Sequence, residues 1–408
     1  MKIIATADER NALIAGYAGW TLDAFDFFIL TFTLGAVAKD FGRSIPAVAL
    51  TLTATLAMRP VGAFLFGLMA DRYGRRLPLM IDILFYSVLE VLSGLAPTYT
   101  IFFILRLLYG IGLGGEWGVG TSLVLESVPA KWRGLISGLL QQGYSFGFVL
   151  AAIAYLTVFP RWGWRPMFFI GGLPALLTLF IRAKVKETKA WEESRTSWKN
   201  YRRDILSNWK IFLYLVLLMS MLNFAGHGTQ DLYPVFLQKR HFSPQATAII
   251  SMIAAIGAVC GGVFFGAYSD RWGRRRSIIT ALLLAAALVP LWIIAPATGW
   301  LIVGAFLMQF MVQGAFGVIP SHITELSPNT LRGFFPGLAF QLGVLVASTI
   351  TYVEAVLGER FGYEKSLGVL AAIVIVATIL VVWAGPEAKG VPFGKAEPLA
   401  APLVTAPK

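Results

Sequence analysis

The side chains of this chain that could do chemistry stand where they cost most. Asp23, Asp26, Arg59, Asp82, Glu90, Arg106, Glu116, His227, Asp231 and Glu354 all fall inside long apolar stretches. An ionisable group in such surroundings is expensive and usually faces a cavity or a partner. Asp23 and Asp26 lie three residues apart in GWTLDAFDFF, so they share a helix face, one turn apart. Burial favours a protonated carboxyl, and a nearby cation favours the ionised form. An acid balanced between the two can take up and release a proton. Arg106, 20 residues before Glu126 and well inside its own stretch, is the natural counter-charge. The alternative is a permanent structural ion pair.

Arg59, in LAMRPVGAFLFG, could hold a carboxylate through two parallel hydrogen bonds, or serve as a partner for Asp23 or Asp26. The run NFAGHGTQDLYP, residues 223–234, places Asn223, His227, Gln230 and Asp231 at i, i+4, i+7 and i+8. That is one helical stripe, and four polar side chains on it must meet water or partners. A histidine one turn from an aspartate suits binding or proton coupling. Gln142 and Gln341, with Tyr144 close to the first, could orient an organic acid or simply bond to neighbouring helices. Glu116 sits in a glycine-rich stretch where helices approach closely; it could bond across or carry a proton. Gly110, Gly112 and Gly115 spell G-x-G-x-x-G there, but no strand precedes it, so it is not a nucleotide loop. Asp82, Glu90 and Glu354 receive no role.

The elements that must position these groups follow from composition. Of 408 residues, 57% are hydrophobic and 14% charged, and the mean hydropathy is +0.70. A soluble domain usually carries about 25% charged residues. This excludes a cytosolic enzyme and a disordered chain, and the single cysteine, Cys260, excludes a disulfide scaffold. A net charge of +12 would suggest nucleic acid in a soluble protein; here it marks basic loops beside a membrane. About 20 apolar residues cross a bilayer. Twelve runs qualify: 11–38, 46–70, 77–97, 100–124, 134–158, 164–182, 210–237, 245–269, 277–296, 300–324, 333–357 and 366–384. The first is too polar at its centre for a signal peptide. The fold class is therefore an all-α membrane protein.

With a cytoplasmic N-terminus, 24 of the 34 lysines and arginines fall on the cytoplasmic side and eight on the other. That split places both termini in the cytoplasm. Residues 1–182 are expected to form one six-helix bundle, 183–209 a cytoplasmic linker, 210–385 a second bundle and 386–408 a disordered cytoplasmic tail rich in Pro, Ala and Gly.

The two halves repeat at a fixed offset of 199. DRYGRR begins at Asp71 and DRWGRR at Asp270; Glu126, Pro129, Arg133 and Gly134 match Glu325, Pro328, Arg332 and Gly333; Gln142 matches Gln341. Six spans per half make this a parallel repeat, with a substrate path expected between the halves. Asp71, Arg72, Arg75, Glu126 and Arg133, and their repeats Asp270, Arg271, Arg274, Glu325 and Arg332, crowd the cytoplasmic helix ends. Such acid and arginine clusters could latch helix ends in one state and release them in another. Arginines that only set topology would not need the acids.

The duplicated D-R-x-G-R-R between spans 2 and 3 and between spans 8 and 9 resembles the signature of the major facilitator superfamily, over residues 10 to about 385. The resemblance implies twelve transmembrane helices in two pseudo-symmetric six-helix halves, with spans 3, 6, 9 and 12 peripheral, which makes Glu90 an oddity. Sugar–proton symporters of that superfamily look similar around the span 1 aspartate and span 4 arginine, which favours Asp26 over Asp23. Span 7 resembles the N-x-x-S/T-H-x-S/T-Q-D signature of the lactate/pyruvate branch of the sialate–proton symporter family. Asn223, His227, Thr229, Gln230 and Asp231 fit; Gly226 and Val235 depart from it. By the same resemblance Arg59 contacts the substrate anion.

The expected function is proton-coupled import of a small organic anion, lactate or pyruvate first, sialic acid or an aromatic acid next. A drug or organic-cation exporter is the rival, which Arg59 and His227 do not suit. A non-transporting sensor would be expected to carry an added soluble domain. No Walker motif, metal-ligand cluster or hydrolytic triad spacing appears, so no cofactor, metal or enzymatic activity is expected. The expected partners are the anion, protons and the lipid bilayer, with no nucleic acid. The expected state is a monomer in a bacterial inner membrane.

Overall fold

The computed structural model describes residues 4, 6–194, 198–295 and 297–394. Among them every regular element is helical. Twelve helices are long and apolar enough to cross a membrane: Ala7–Asp40, Ile45–Tyr73, Arg76–Leu95, Tyr99–Ser127, Ala130–Thr157, Arg165–Lys184, Trp209–Lys239, Gln245–Trp272, Arg274–Ile293, Thr298–Leu326, Phe335–Phe361 and Tyr363–Ala384. They are spans 1 to 12 below. The chain is a multi-pass integral membrane protein. Large apolar side chains such as Leu156, Leu176, Ile373 and Trp383 stand exposed, as on helices whose outer faces meet lipid.

Local chemistry sets the helix starts. Thr6 and Glu9 form a reciprocal capping box ahead of span 1. Ser44, Thr98 and Ser243 each accept a backbone N–H at the starts of spans 2, 4 and 8. Four spans depart from the unbroken runs read in the sequence. Span 5 is interrupted at Gln142, span 6 between Ile170 and Ala175, span 7 between Gln230 and Tyr233, and span 11 at Ser348 and Thr349. In span 7 the cause is Pro234, which has no N–H to give the carbonyl of Gln230. The expected linker carries two short helices, Lys189–Ser194 and Trp198–Ser207.

The chain forms two compact units. The first comprises Met1–Pro129, Gln142–Asn208 and Pro328–Gln341; the second comprises Ala130–Gln141, Trp209–Ser327 and Leu342–Lys408. In the first, span 4 packs on spans 1, 2 and 3, and span 1 on the later part of span 5. In the second, span 10 packs on spans 8 and 9, and span 12 on spans 7 and 9. Residues 386–394, at the start of the stretch expected to be a disordered tail, are held in place: Arg133 donates to the Val391 carbonyl at 2.7 Å and lies over the Phe393 ring. Residues 395–408 lie outside the described residues.

Candidate functional site

In the first unit, glycines let spans 2 and 4 come together. A β-carbon at Gly62 would strike the Ile111 carbonyl, and one at Gly114 would strike the carbonyl of Arg59. This close approach sinks Arg59 into the unit, 6% exposed. Its Nε and Nη2 find no hydrogen-bond partner, and Asp23 and Glu116 lie within electrostatic range. Glu116 occupies the space over Gly19, one turn before Asp23 on span 1. Asp82 is buried within range of both acids. Unsatisfied buried guanidinium donors are costly, and Arg59 carries two of them.

Arg106 is also fully buried, but its ion pair is with Glu90 and not with Asp26 as the sequence reading expected. Span 3, which carries Glu90, packs directly on span 4, and Asp26 lies against Gly171 of span 6 with neither oxygen bonded. Tyr109 stacks beneath the Arg106 guanidinium at 3.8 Å. Glu90 therefore occupies a charged site inside the unit despite sitting on a span expected to be peripheral.

Tyr144 belongs to an aromatic group. Tyr144 packs on Trp20 and Phe28, with ring centroids 5.6 and 5.2 Å apart. Phe340, the residue before Gln341, stacks on Trp117 at 4.1 Å. Gln341 is buried with both amide atoms unpartnered. Gln142 sits where span 5 is interrupted, ahead of the helix Gly143–Thr157.

In the second unit, His227 Nδ1 lies 3.2 Å from Asp231 Oδ2, which also accepts from the Thr351 hydroxyl at 2.7 Å. Asp231 follows the last residue of the helix Trp209–Gln230, at the break in span 7. Glu354, one turn beyond Thr351, is buried with neither oxygen bonded and lies within electrostatic range of Asp231. Gln313 donates to Gln230 at 3.5 Å, and Gln309 donates to the Thr229 hydroxyl at 3.2 Å. Asn223 lies one turn before His227 on the same helix. Its amide turns back to the Met219 carbonyl at 2.8 Å, within its own helix.

Each D-R-x-G-R-R turn builds a dense cluster. Asp71 accepts from Arg75 at 2.7 Å, from the Tyr201 hydroxyl at 3.0 Å, and from the backbone N–H groups of Gly333 and Phe334 at 2.6 and 3.1 Å. A carboxylate at the unpaired N–H groups of a helix start is a favourable arrangement. Arg75 grips Glu126 through Nη2 and Nε at 2.7 and 3.3 Å. Burial alone would lower the pKa of Arg75, but Glu126 and Asp71 outweigh it and hold the guanidinium charged. Asp270 likewise accepts from Gly134 N, Leu135 N and Arg274, at 2.8, 2.9 and 2.8 Å. Arg274 grips Glu325 at 2.8 and 3.0 Å, and Arg133 stands 3.6 Å from the same acid. Arg332 bonds to Asn329, and its carbonyl accepts from Ser122. Arg72 lies over Tyr73, and Arg271 is exposed, its carbonyl accepting from Lys389.

Glu90, named in the sequence without a role, is the partner of Arg106, and Thr351, Tyr201, Glu187 and Glu387 are participants that the sequence motifs did not mark. The two glutamates had a signal, since Glu387 follows Glu187 by 200 residues, one more than the repeat offset.

Residues 17–351 match the family model of the Major Facilitator Superfamily, and the chain belongs to that family. It is a membrane transporter and not an enzyme. The sialic acid transporter NanX of Escherichia coli is 30% identical to it, over 92% of this chain and 93% of NanX. A carboxylic acid transporter protein homolog of Saccharomyces cerevisiae is 27% identical, over 94% of this chain and 69% of the yeast protein. The solved structure of the proton:xylose symporter XylE superposes with a TM-score of 0.78, covering 95% of this chain and 98% of XylE. At 18% identity that likeness concerns the fold.

Proposed function

We propose that the chain is a proton-coupled symporter that imports a small organic anion, with a monocarboxylate such as lactate or pyruvate as the preferred substrate. The observation that carries this reading is Arg59: a buried guanidinium whose Nε and Nη2 donors lack partners, set beside Asp23 and Glu116. A substrate carboxylate meets those donors with two parallel charge-assisted bonds. Neutralising the acids of this region favours the anion, because ionised carboxyls around Arg59 would repel it and protonated ones would admit it. The relatives support the substrate class, since NanX is named for sialic acid and the yeast homolog for carboxylic acids.

In this reading Asp26 or the His227–Asp231 pair takes up the proton before the anion reaches Arg59. Gln142, Gln341 and Tyr144 orient the acid. The two D-R-x-G-R-R clusters latch and release helix ends on the cytoplasmic side, and the 24-to-8 distribution of basic residues supports cytoplasmic termini. A panel of labelled carboxylates tested in proteoliposomes with an imposed pH gradient checks the reading. Accumulation of lactate or pyruvate that collapses with the gradient is the expected result. Movement of none of the carboxylates, with gradient-driven efflux of a cationic dye, would replace it with the exporter reading.

A further inference from the structure

We propose that Glu90 is the second seat of the coupling proton: Asp26 and Glu90 share one proton, and Arg106 pairs with whichever of them is ionised. The proposal rests on the symport reading above, and it gives a role to an acid that the span 1 and span 4 pairing leaves unexplained.

The geometry is that of two acids around one cation. One Arg106 nitrogen pairs with Glu90, while Arg106 Nε and Nη2 remain without partners. Glu90 Oε1 and both Asp26 oxygens are likewise unbonded. All three side chains are fully buried. Gly171 lies against both acids: a β-carbon there would stand 2.5 Å from Glu90 Cγ and 3.0 Å from Asp26 Oδ1. Arg106 thus has spare donors and Asp26 spare oxygens, and the two lie within electrostatic range of each other.

The charge count then sets the proton count. Span 1 brings Asp26 and Asp23 to this place; span 3 brings Glu90 and Tyr86; span 4 brings Arg106 and Tyr109. Span 6 contributes Gly171 and Phe168, which carry no charge. Asp23 and Glu116 have the other cation, Arg59, in range. Arg106 therefore serves the two carboxyls of Asp26 and Glu90. With both ionised, a negative charge stays buried without compensation, which is strongly unfavourable. With one proton the group is neutral, and the two acids titrate as a pair rather than singly. Transfer breaks the O–H bond on Asp26, forms one on Glu90, and turns Arg106 from Glu90 to Asp26. Net charge is the same before and after, so a proton can pass between spans 1 and 3 without creating a new buried charge.

The test is isotope-edited infrared spectroscopy of the purified protein in lipid nanodiscs, titrated with pH. Glutamate carboxyls carry 13C in one sample and aspartate carboxyls in another, so the two protonated-acid bands separate. In the wild type an aspartate component and a glutamate component should titrate together with one midpoint. Asp26→Asn should abolish that glutamate component, because Glu90 alone with Arg106 stays ionised; Glu90→Gln should abolish the aspartate component for the same reason. A glutamate spectrum identical in wild type and Asp26→Asn would overturn the proposal, leaving Glu90 a permanent ion-pair partner. Unrelated aspartate and glutamate midpoints in the wild type would overturn it without any variant. Lactate uptake by wild-type proteoliposomes under a pH gradient tests the symport reading separately. Its absence would remove the coupling role, while the spectra would still decide whether the proton is shared.

Discussion

Glu187 and Glu387 hold the same station in the two units. Glu187 accepts from the backbone N–H groups of Arg75 and Arg76 at 2.9 and 3.1 Å; Glu387 accepts from those of Arg274 and Arg275, both at 3.0 Å. Each caps the helix that follows a D-R-x-G-R-R turn. The glycine in the turn is required twice over. Gly74 and Gly273 have φ of 101° and 102°, and a β-carbon on either would run into the capping glutamate.

Removing either cap should therefore destabilise its unit. Glu187→Ala and Glu387→Ala each leave two helix-start N–H groups unpaired, at a cost of about 1–2 kcal/mol. Thermal unfolding of the detergent-solubilised variants reads this as a lowered midpoint. An unchanged midpoint in both would show that water replaces the carboxylate at no cost.

Tyr201 makes a pH-dependent contribution in the alkaline range. Burial and the Asp71 carboxylate hold its phenol well above the ordinary value of 10.0. The folded chain thus keeps this proton where the unfolded chain loses it. The resulting stability is fully present below pH 10 and falls as pH rises past it, by about 1.4 kcal/mol per unit for this one group. Tyr201→Phe removes that slope, so the stability difference between wild type and variant should shrink above pH 10. A difference constant from pH 8 to 11 would contradict it.

Arg59→Lys keeps the positive charge and loses the planar fork. The expected outcome is at least a tenfold rise in the apparent Km for lactate, about 1.4 kcal/mol or more, with normal membrane insertion. Unchanged apparent affinity would take Arg59 out of the site.

Asp26→Asn mimics a permanently protonated acid. The variant should exchange lactate across a membrane in counterflow but fail to accumulate it under a pH gradient. Asp231→Asn, measured in the same vesicles, tests the rival seat beside His227 and Thr351. If Asp26→Asn still concentrates lactate while Asp231→Asn cannot, coupling belongs to span 7.

The twelve spans, the repeat and the D-R-x-G-R-R clusters were legible in the sequence because length, apolar run and a constant offset express them directly. The choice of Glu90 over Asp26 as the partner of Arg106 was not legible. It depends on how spans 1, 3 and 4 are rotated against one another, and apolar runs do not encode rotation. Helical spacing likewise puts Asn223 on the stripe without showing that its amide nitrogen bonds one turn back in its own helix. The break in span 7 did have a local signal in Pro234, whereas the interruption at Gln142 has no proline beside it. Glu187 and Glu387 escaped notice because a single extra residue shifts them off the 199-residue register.

The central claim, proton-coupled movement of an organic anion, is tested most directly by watching protons while only the anion is driven. Proteoliposomes loaded with a pH-sensitive dye receive an inward gradient of lactate at equal internal and external pH, with an ionophore clamping the membrane potential. Acidification of the lumen with the wild-type protein, lost in Asp26→Asn although labelled lactate still exchanges, is the predicted result. Entry of labelled lactate through the wild-type protein with no change in luminal pH would contradict it.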